Sequence, residues 1–355
     1  MSNDATHSHL WPGVPLALAS AALFGAATPL SKLLLSVTDP WVLAGILYLG
    51  AGLGLGAFHA GRRILRLPSV EAPIRRQEIP LLALVVFFGG VLGPVLLMFG
   101  LSMTSAAAGS LLLNLEGLAT MGIAWVVFRE YVDRRLLLGA LAILAGAALL
   151  SWNGRAVRFD LGGLLIAAAC LSWAIDNNLT RRLSATDPVQ IATIKGLVAG
   201  AVNLALALIA GAALPSLSVV LAGGLVGIFS IGVSLVMFLL GLRYLGTART
   251  GAYFSLAPFV GALLALIMLP EPVTPTLVVA GILMGLGLLA HLSERHEHGH
   301  DHEALEHEHR HVHDEHHRHA HEDPVTEPHS HRHRHEPMRH THPHYPDLHH
   351  RHGHS

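Results

Sequence analysis

The chain is poor in charge, in aromatic side chains and in cysteine. Only 13% of its 355 residues are charged and 6% are aromatic, against 52% hydrophobic. An ordinary soluble domain carries about a quarter of its residues charged, so this composition points away from a water-soluble protein and towards a polytopic membrane protein. The single cysteine, Cys170, excludes an intramolecular disulfide and thiolate metal chemistry, and its place in an apolar run marks it as a small core residue. Before residue 291 there is no HExxH, no nucleophile with an adjacent base and no acidic metal cluster on a loop, so the chain is not expected to be an enzyme. The first thirteen residues hold no Lys or Arg and lead into a run without a convincing small-residue cleavage site, so no cleavable signal peptide is expected.

What is present is ten apolar runs, at residues 14–36, 41–60, 79–101, 104–128, 136–152, 161–183, 189–213, 219–245, 247–269 and 273–292. At 1.5 Å per residue, each matches a hydrocarbon core about 30 Å thick. The runs are continuously apolar instead of alternating with period two, so they predict helices and not a barrel. Their connections are short. Counted at alternate ends, one side carries Arg62, Arg63, Arg66, Arg75, Arg76, Arg129, Arg134, Arg135, Arg181, Arg182, Arg243 and Arg249, and the other only Lys32, Arg155 and Arg158. The positive-inside rule then predicts a multi-pass protein of the cytoplasmic membrane with both termini in the cytoplasm.

The chain also repeats itself. GLSMTSAAAGSLLLNLEGLATMGIAWVVFREYV from Gly100 aligns, after a shift of 141, with GLRYLGTARTGAYFSLAPFVGALLALIMLPEPV from Gly241, matching Ala107 to Ala248, Leu115 to Leu256 and Glu130 to Glu271. Each copy is a helical hairpin with a Glu at the membrane edge. Earlier in each half, SVTDPWVLAGILYLGAG from Ser36 is echoed by SATDPVQIATIKGLVAG from Ser184. Five spans per half turn the second half upside down relative to the first. The expected fold is thus an all-α membrane protein of ten transmembrane helices in two inverted five-helix repeats, with a substrate path where the halves meet. The expected divisions are a cytoplasmic N-terminus (1–13), a first repeat (14–152), a second repeat (153–292) and a disordered cytoplasmic tail (293–355).

These features resemble the drug/metabolite transporter superfamily of the EamA type, which has ten helices in two five-helix repeats. The resemblance runs from about Val14 to Leu292 and is carried by Glu130 and Glu271, the small-residue hairpin partners after each, and Pro258. It implies an integral membrane carrier, usually an exporter of small metabolites, amino acids or toxic compounds, and it names no cargo.

Ionisable residues inside a span are costly unless paired or wet, so they mark candidate function. Glu116 lies about twelve residues from either end of the fourth span and suits proton exchange coupled to substrate movement; a hydrogen-bonded carboxyl joining helices is the alternative. Asn114 and Glu116 fall on different faces of that helix, with Thr120 on the face of Glu116. Asp176 and Lys195 lie at similar depth in consecutive spans and predict an ion pair, structural or functional. Asn177 and Asn178 add amides for a polar solute or for helix contacts. Tyr253, Ser255 and Trp173 are candidate cavity linings. Lys32, near a span end, is expected to anchor at the interface. Pro29, Pro94 and Pro258 are candidate hinges, and Gly50, Gly52, Gly54, Gly56, Gly196 and Gly200 form small-residue stripes for close helix approach.

The tail is the second strong signal, holding 24 of the 27 His residues from His291 onward and 13 acidic residues against 7 Arg from Glu294 onward. Its low apolar content predicts disorder without a ligand. Imidazoles alternating with carboxylates suit Zn, Ni or Co, with His296, His298, His300, His302, His307, His309, His311, His313, His316, His317, His319 and His321 as ligand candidates.

Two transport readings follow. The first is a secondary carrier of a small organic metabolite or amino acid, an exporter with proton coupling and a metal-binding tail. The second is a divalent-metal transporter that uses the tail as buffer or sensor. Against the second, the spans hold no midplane His and no carboxylate cluster, and His59 stands alone near a span end. The expected partners are the bilayer, a small-molecule substrate and a divalent metal at the tail. No nucleic acid and no cofactor are called for, and the oligomeric state, a homodimer included, is left open.

Overall fold

The computed structural model describes residues 13–65, 74–128, 134–151, 160–180, 183, 187–245 and 247–292, with four tail segments, 297–302, 306–311, 329–334 and 338–343. Up to residue 292 all regular structure among the described residues is helical. Ten helical segments succeed one another: α1 (Gly13–Leu34), α2 (Pro40–Ile64), α3 (Ile79–Val86 and Gly93–Met103, joined by π-helical Phe87–Leu92), α4 (Ala106–Leu112 and Asn114–Phe128), α5 (Arg134–Leu150), α6 (Leu161–Thr180), α7 (Pro188–Ile209), α8 (Leu217–Val226 and Ser234–Leu245, joined by π-helical Gly227–Val233), α9 (Thr247–Phe254 and Ala257–Met268) and α10 (Pro275–Leu292). Among the described residues seven spans, in α1–α4 and α7–α9, are long and apolar enough to cross a membrane, and α10 is apolar but shorter. Their outward faces carry large apolar side chains such as Leu53, Val126, Leu138, Leu221 and Ile282, as a lipid-facing surface requires.

The packing is symmetric in the manner of a duplicated protein. α1 packs on α8 and α9, and α6, its counterpart, packs on α3 and α4. α2 lies against α8 while α7 lies against α3, and the pairs α2/α7 and α5/α10 are each made of counterparts. The irregularities repeat too. The π-helical stretch of α3, shifted by 141, overlies that of α8, and the break after Leu112 in α4 overlies the break after Phe254 in α9. The repeated TDP has one local cause in both halves. Asp39 Oδ1 accepts from Trp41 N at 2.8 Å and Val42 N at 3.2 Å. Asp187 Oδ1 accepts from Val189 N at 2.8 Å and Gln190 N at 3.4 Å. Asp caps the helix and Pro, whose missing N–H costs nothing at a first turn, starts it.

Small residues set the close crossings. Gly52 and Gly196 bring α2 and α7 into backbone contact, and a side chain on either would strike the other helix. The apolar core lies between α2, α3, α4, α6, α9 and α10, with Leu43, Leu101, Leu112, Ile166 and Met284 fully buried.

Four six-residue strands, β1 (Glu297–His302), β2 (Glu306–His311), β3 (His329–Arg334) and β4 (Met338–Pro343), form two antiparallel pairs, β1 with β4 and β2 with β3. The alternation of His with other residues has period two, the period of a strand. His296, His313, His316, His317, His319 and His321 lie outside the described residues, as do Glu130, Arg66, Arg129, Arg155, Arg158, Arg181 and Arg182.

Candidate functional site

The polar centre of the bundle is built around the irregular middle of α3, FFGGVLGP. Pro94 has no N–H, so the carbonyl of Gly90, four residues earlier, loses its helical partner. The N–H of Gly93 reaches past Gly89 to the carbonyl of Phe88, which leaves Gly89 O unused as well. A buried carbonyl without a donor is costly, and here each is met by a side chain of a neighbouring helix. Tyr48 Oη of α2 donates to Gly89 O at 2.8 Å, and Trp173 Nε1 of α6 donates to the same oxygen at 3.0 Å. Asn203 Nδ2 of α7 donates to Gly90 O at 3.0 Å, and Ser172 Oγ of α6 to Phe88 O at 2.8 Å.

Beside this hub lies the charge. Lys195 Nζ on α7 donates to Asp176 Oδ2 on α6 at 2.7 Å, and the carboxylate is almost fully buried. Thr180 Oγ1 supplies a second bond to Asp176 Oδ1 at 3.2 Å. Gly89 makes room for the pair, since a Cβ there would fall on the Asp176 carboxylate. Gly90 in turn faces Ala199 and the stem of Lys195. Next to Asp176 on α6, Asn177 Nδ2 donates to Glu116 Oε1 of α4 at 2.9 Å and lies 3.4 Å from Thr120 Oγ1. Asn178 is buried and donates to Thr120 O and Ala174 O, a contact that joins α6 to α4. Glu116 is half-buried and Asn177 exposed, and a Cβ placed at neighbouring Gly117 would meet nothing within 4 Å. The carboxylate thus lies at the edge of the packed core.

Of the residues singled out from sequence, Glu116, Asp176, Asn177, Asn178 and Lys195 gather on the facing sides of α4, α6 and α7. Asn114 does not join them. Its Nδ2 donates to Leu111 O at 2.8 Å and faces Met284 of α10, so it serves the break in α4. Ser255 plays the same part in α9, where its Oγ donates to Ala252 O at 2.7 Å, and half-buried Tyr253 sits at that break. Tyr48, Asn203, Ser172 and the Gly89–Gly90 pair were not singled out as site residues. The available signal was Pro94 four residues after Gly90: a freed buried carbonyl demands a donor, and Asn203 is a fully buried amide. Elsewhere, a pocket of about 220 Å³ at the arginine-rich end is lined by Phe58, Arg62, Val189 and Leu239, among others, and belongs to α2, α7 and α8 instead of this cluster.

The duplicated chain matches known proteins. The EamA-like transporter family matches residues 11–152 and again 160–292. The chain belongs to the EamA-like transporter family. An uncharacterized transporter of Methanothermobacter thermautotrophicus (strain Delta H) is 32% identical over 295 residues, 79% of this chain and 85% of the relative. The uncharacterized transporter YyaM of Bacillus subtilis (strain 168) is 24% identical over 230 residues, 62% of this chain and 74% of the relative. One crystal structure, 19% identical, matches with a TM-score of 0.58 over 79% of this chain and 95% of that one, a likeness of fold. The protein is a multi-pass membrane transporter of this family, set in a lipid bilayer and acting on a small molecule.

Proposed function

We propose that all ten helices span the cytoplasmic membrane with both termini inside, and that the protein is a secondary carrier exporting a small polar organic solute, an amino acid or a related metabolite. The observation that carries this reading is the convergence of Glu116, Asn177 and the Asp176–Lys195 pair on the face of an interrupted helix. Charged groups at this depth are kept where they face a polar path. The Asp176–Lys195 pair is neutral as a unit, so Glu116 gives the site its net negative charge and selects a solute with an amine. Glu116 exchanges a proton for that amine, and Asn177 orients the carboxylate. The broken middle of α3, where side-chain donors replace lost helical bonds at Gly89 and Gly90, is the segment that moves when the pair reorganises.

The tail adds a metal-binding appendage for Zn, Ni or Co. Its register supports this: His298 and His300 stand opposite His342 and His340, and His307, His309 and His311 opposite His333, His331 and His329. Metal as transported cargo is the weaker reading, because among the described residues no three His, Cys, Asp or Glu side chains converge. The deciding experiment reconstitutes the full chain and a version ending at Ser293 in liposomes and follows Zn, Ni and amino-acid flux under a pH gradient. Organic flux in both, without metal flux, is the expected result. Metal flux through the truncated core would overturn the reading.

A further inference from the structure

The α3–α4 turn is held by a set of contacts that the substrate site does not use. Lys32, on the last turn of α1, donates from Nζ to Leu101 O at 2.7 Å and Thr104 O at 2.8 Å, with Ser102 O at 3.4 Å. It does more than anchor at the interface, since its ammonium satisfies carbonyls at the end of α3. Glu271, between α9 and α10, takes the other side of the turn. Its Oε1 and Oε2 accept from Ala106 N at 2.6 Å and Ala107 N at 2.9 Å, the first free amides of α4. A cation therefore sits on the carboxyl end of one helix and an anion on the amino end of the next, each the favourable partner of the backbone dipole it meets. A third contact comes from the connection into α6, where Thr104 Oγ1 lies 3.3 Å from Asp160 Oδ2.

The helices converge at the same end. A Cβ on Gly25 of α1 would strike the backbone of Ala257 and Gly261 in α9, and one on Gly100 of α3 would strike Ile166 and the backbone of Gly162 in α6. Towards the arginine-rich end the packing is uneven: a Cβ on Gly13 of α1 would strike Leu245, and one on Gly287 of α10 the backbone of Gly139. A Cβ at Gly117 of α4 or Gly251 of α9 would meet nothing within 4 Å, and Asn177 is exposed. The bundle is closed around the Lys32–Glu271 turn.

We propose that Lys32 and Glu271 form a two-point latch on the α3–α4 turn that keeps this end of the carrier closed, and that transport requires its release. The latch joins parts of both repeats: Lys32 and the turn belong to the first, Glu271 to the second. A rocking of the halves against each other must break the Glu271 contacts, while the Lys32 contacts, within the first half, hold the turn in the position that Glu271 caps. Both residues act through the turn and touch no substrate, so they are positioning residues. The inference rests on the carrier reading only for what the opening serves; the accessibility test needs no substrate and stands if the cargo assignment fails.

The test reads which face of the membrane reaches the site. In a Cys170→Ala background, Asn177→Cys supplies one thiol in the cavity, and its reaction with a charged, membrane-impermeant methanethiosulfonate is timed from each face of oriented vesicles. With the latch intact, reaction from the arginine-rich face is the faster. Lys32→Met and Glu271→Gln are each expected to raise the rate from the opposite face by about tenfold while lowering the first, the shift that follows from losing a charge-assisted contact of one state. The conservative Lys32→Arg and Glu271→Asp should keep a ratio between native and neutralised. An unchanged ratio in both neutral variants would overturn the latch, as would an equal rise at both faces, the mark of a loosened fold. Should the neutral variants fail to fold, the conservative pair decides: a shift in the stated direction supports the latch, and its absence refutes it.

Discussion

The two π-helical segments occupy equivalent places in the duplicated bundle but have opposite surroundings. Around α3 the second repeat supplies Trp173, Asp176, Asn177, Lys195 and Asn203. Around α8 the first repeat supplies, at the same positions after a shift of 148, Gly25, Thr28, Pro29, Leu47 and Leu55. α1 and α8 meet through plain reciprocal bonds, Ser20 Oγ donating to Ser234 O at 2.8 Å and Ser234 Oγ to Ser20 O at 3.0 Å. Glu116 and Thr120 of α4 correspond to Ala257 and Gly261 of α9. The symmetric architecture supplies two broken helices, and divergence has put the polar chemistry on one of them. The other kept the geometry without the charge, as a hinge or packing element does.

That contrast can be broken in order of decreasing effect. Glu116→Gln removes the charge that α9 lacks at its equivalent position, and pH-gradient-driven flux in liposomes should be abolished with the thermal midpoint in detergent unchanged. Proton-driven flux at the native rate would remove Glu116 from the mechanism. Next comes Lys195→Met, which leaves a buried carboxylate without its partner. Unfolding measurements should show a loss of about 3–5 kcal/mol, discounted towards the lower figure because Lys195 keeps some solvent access. Asp176→Asn should also be harmful and the double variant milder than Lys195→Met alone; a double no better than the singles would deny the coupling.

A smaller effect is expected from Gly89→Ser, which gives α3 the residue that α8 carries at Ser230 and forces a side chain onto Asp176. About 1–3 kcal/mol should be lost, whereas Gly117→Ala, with open space before it, should change stability by less than about 0.5 kcal/mol apart from any helix-propensity gain. The smallest is Trp173→Phe. It removes one of two donors from Gly89 O while Tyr48 remains, so a loss of about 0.5–1.5 kcal/mol is expected. A larger loss in the same melts would give Trp173 a packing role beyond the bond.

Much of the fold was legible because a bilayer leaves few options. Continuous apolar runs of about twenty residues must be helices. The repeats at Gly100/Gly241 and Ser36/Ser184 state the duplication outright. The Asp176–Lys195 pairing was legible as well, since two charges at like depth on consecutive helices have strong reason to meet. Lys32 was not, because a residue near a span end satisfies the interface equally well by reaching water; only the position of the α3–α4 turn turns it inward. The hub at Gly89 and Gly90 was hidden for a related reason. A Gly–Gly pair in an apolar run reads as a packing stripe, and its freed carbonyls find donors on three other helices, at Tyr48, Trp173 and Asn203, far away in sequence.

By itself the sequence determined the helices, their count of apolar runs, the duplication, the basic end and the His-rich tail, because each follows from local composition and period. The tertiary structure alone decided which polar groups share a site. It separated Asn114 from Glu116, set Asn177 on that carboxylate, and bound Lys32 and Glu271 to one turn. Those outcomes depend on how close two helices come and which faces they turn to each other, and that is fixed by glycines, broken hydrogen bonds and backbone dipoles acting between segments.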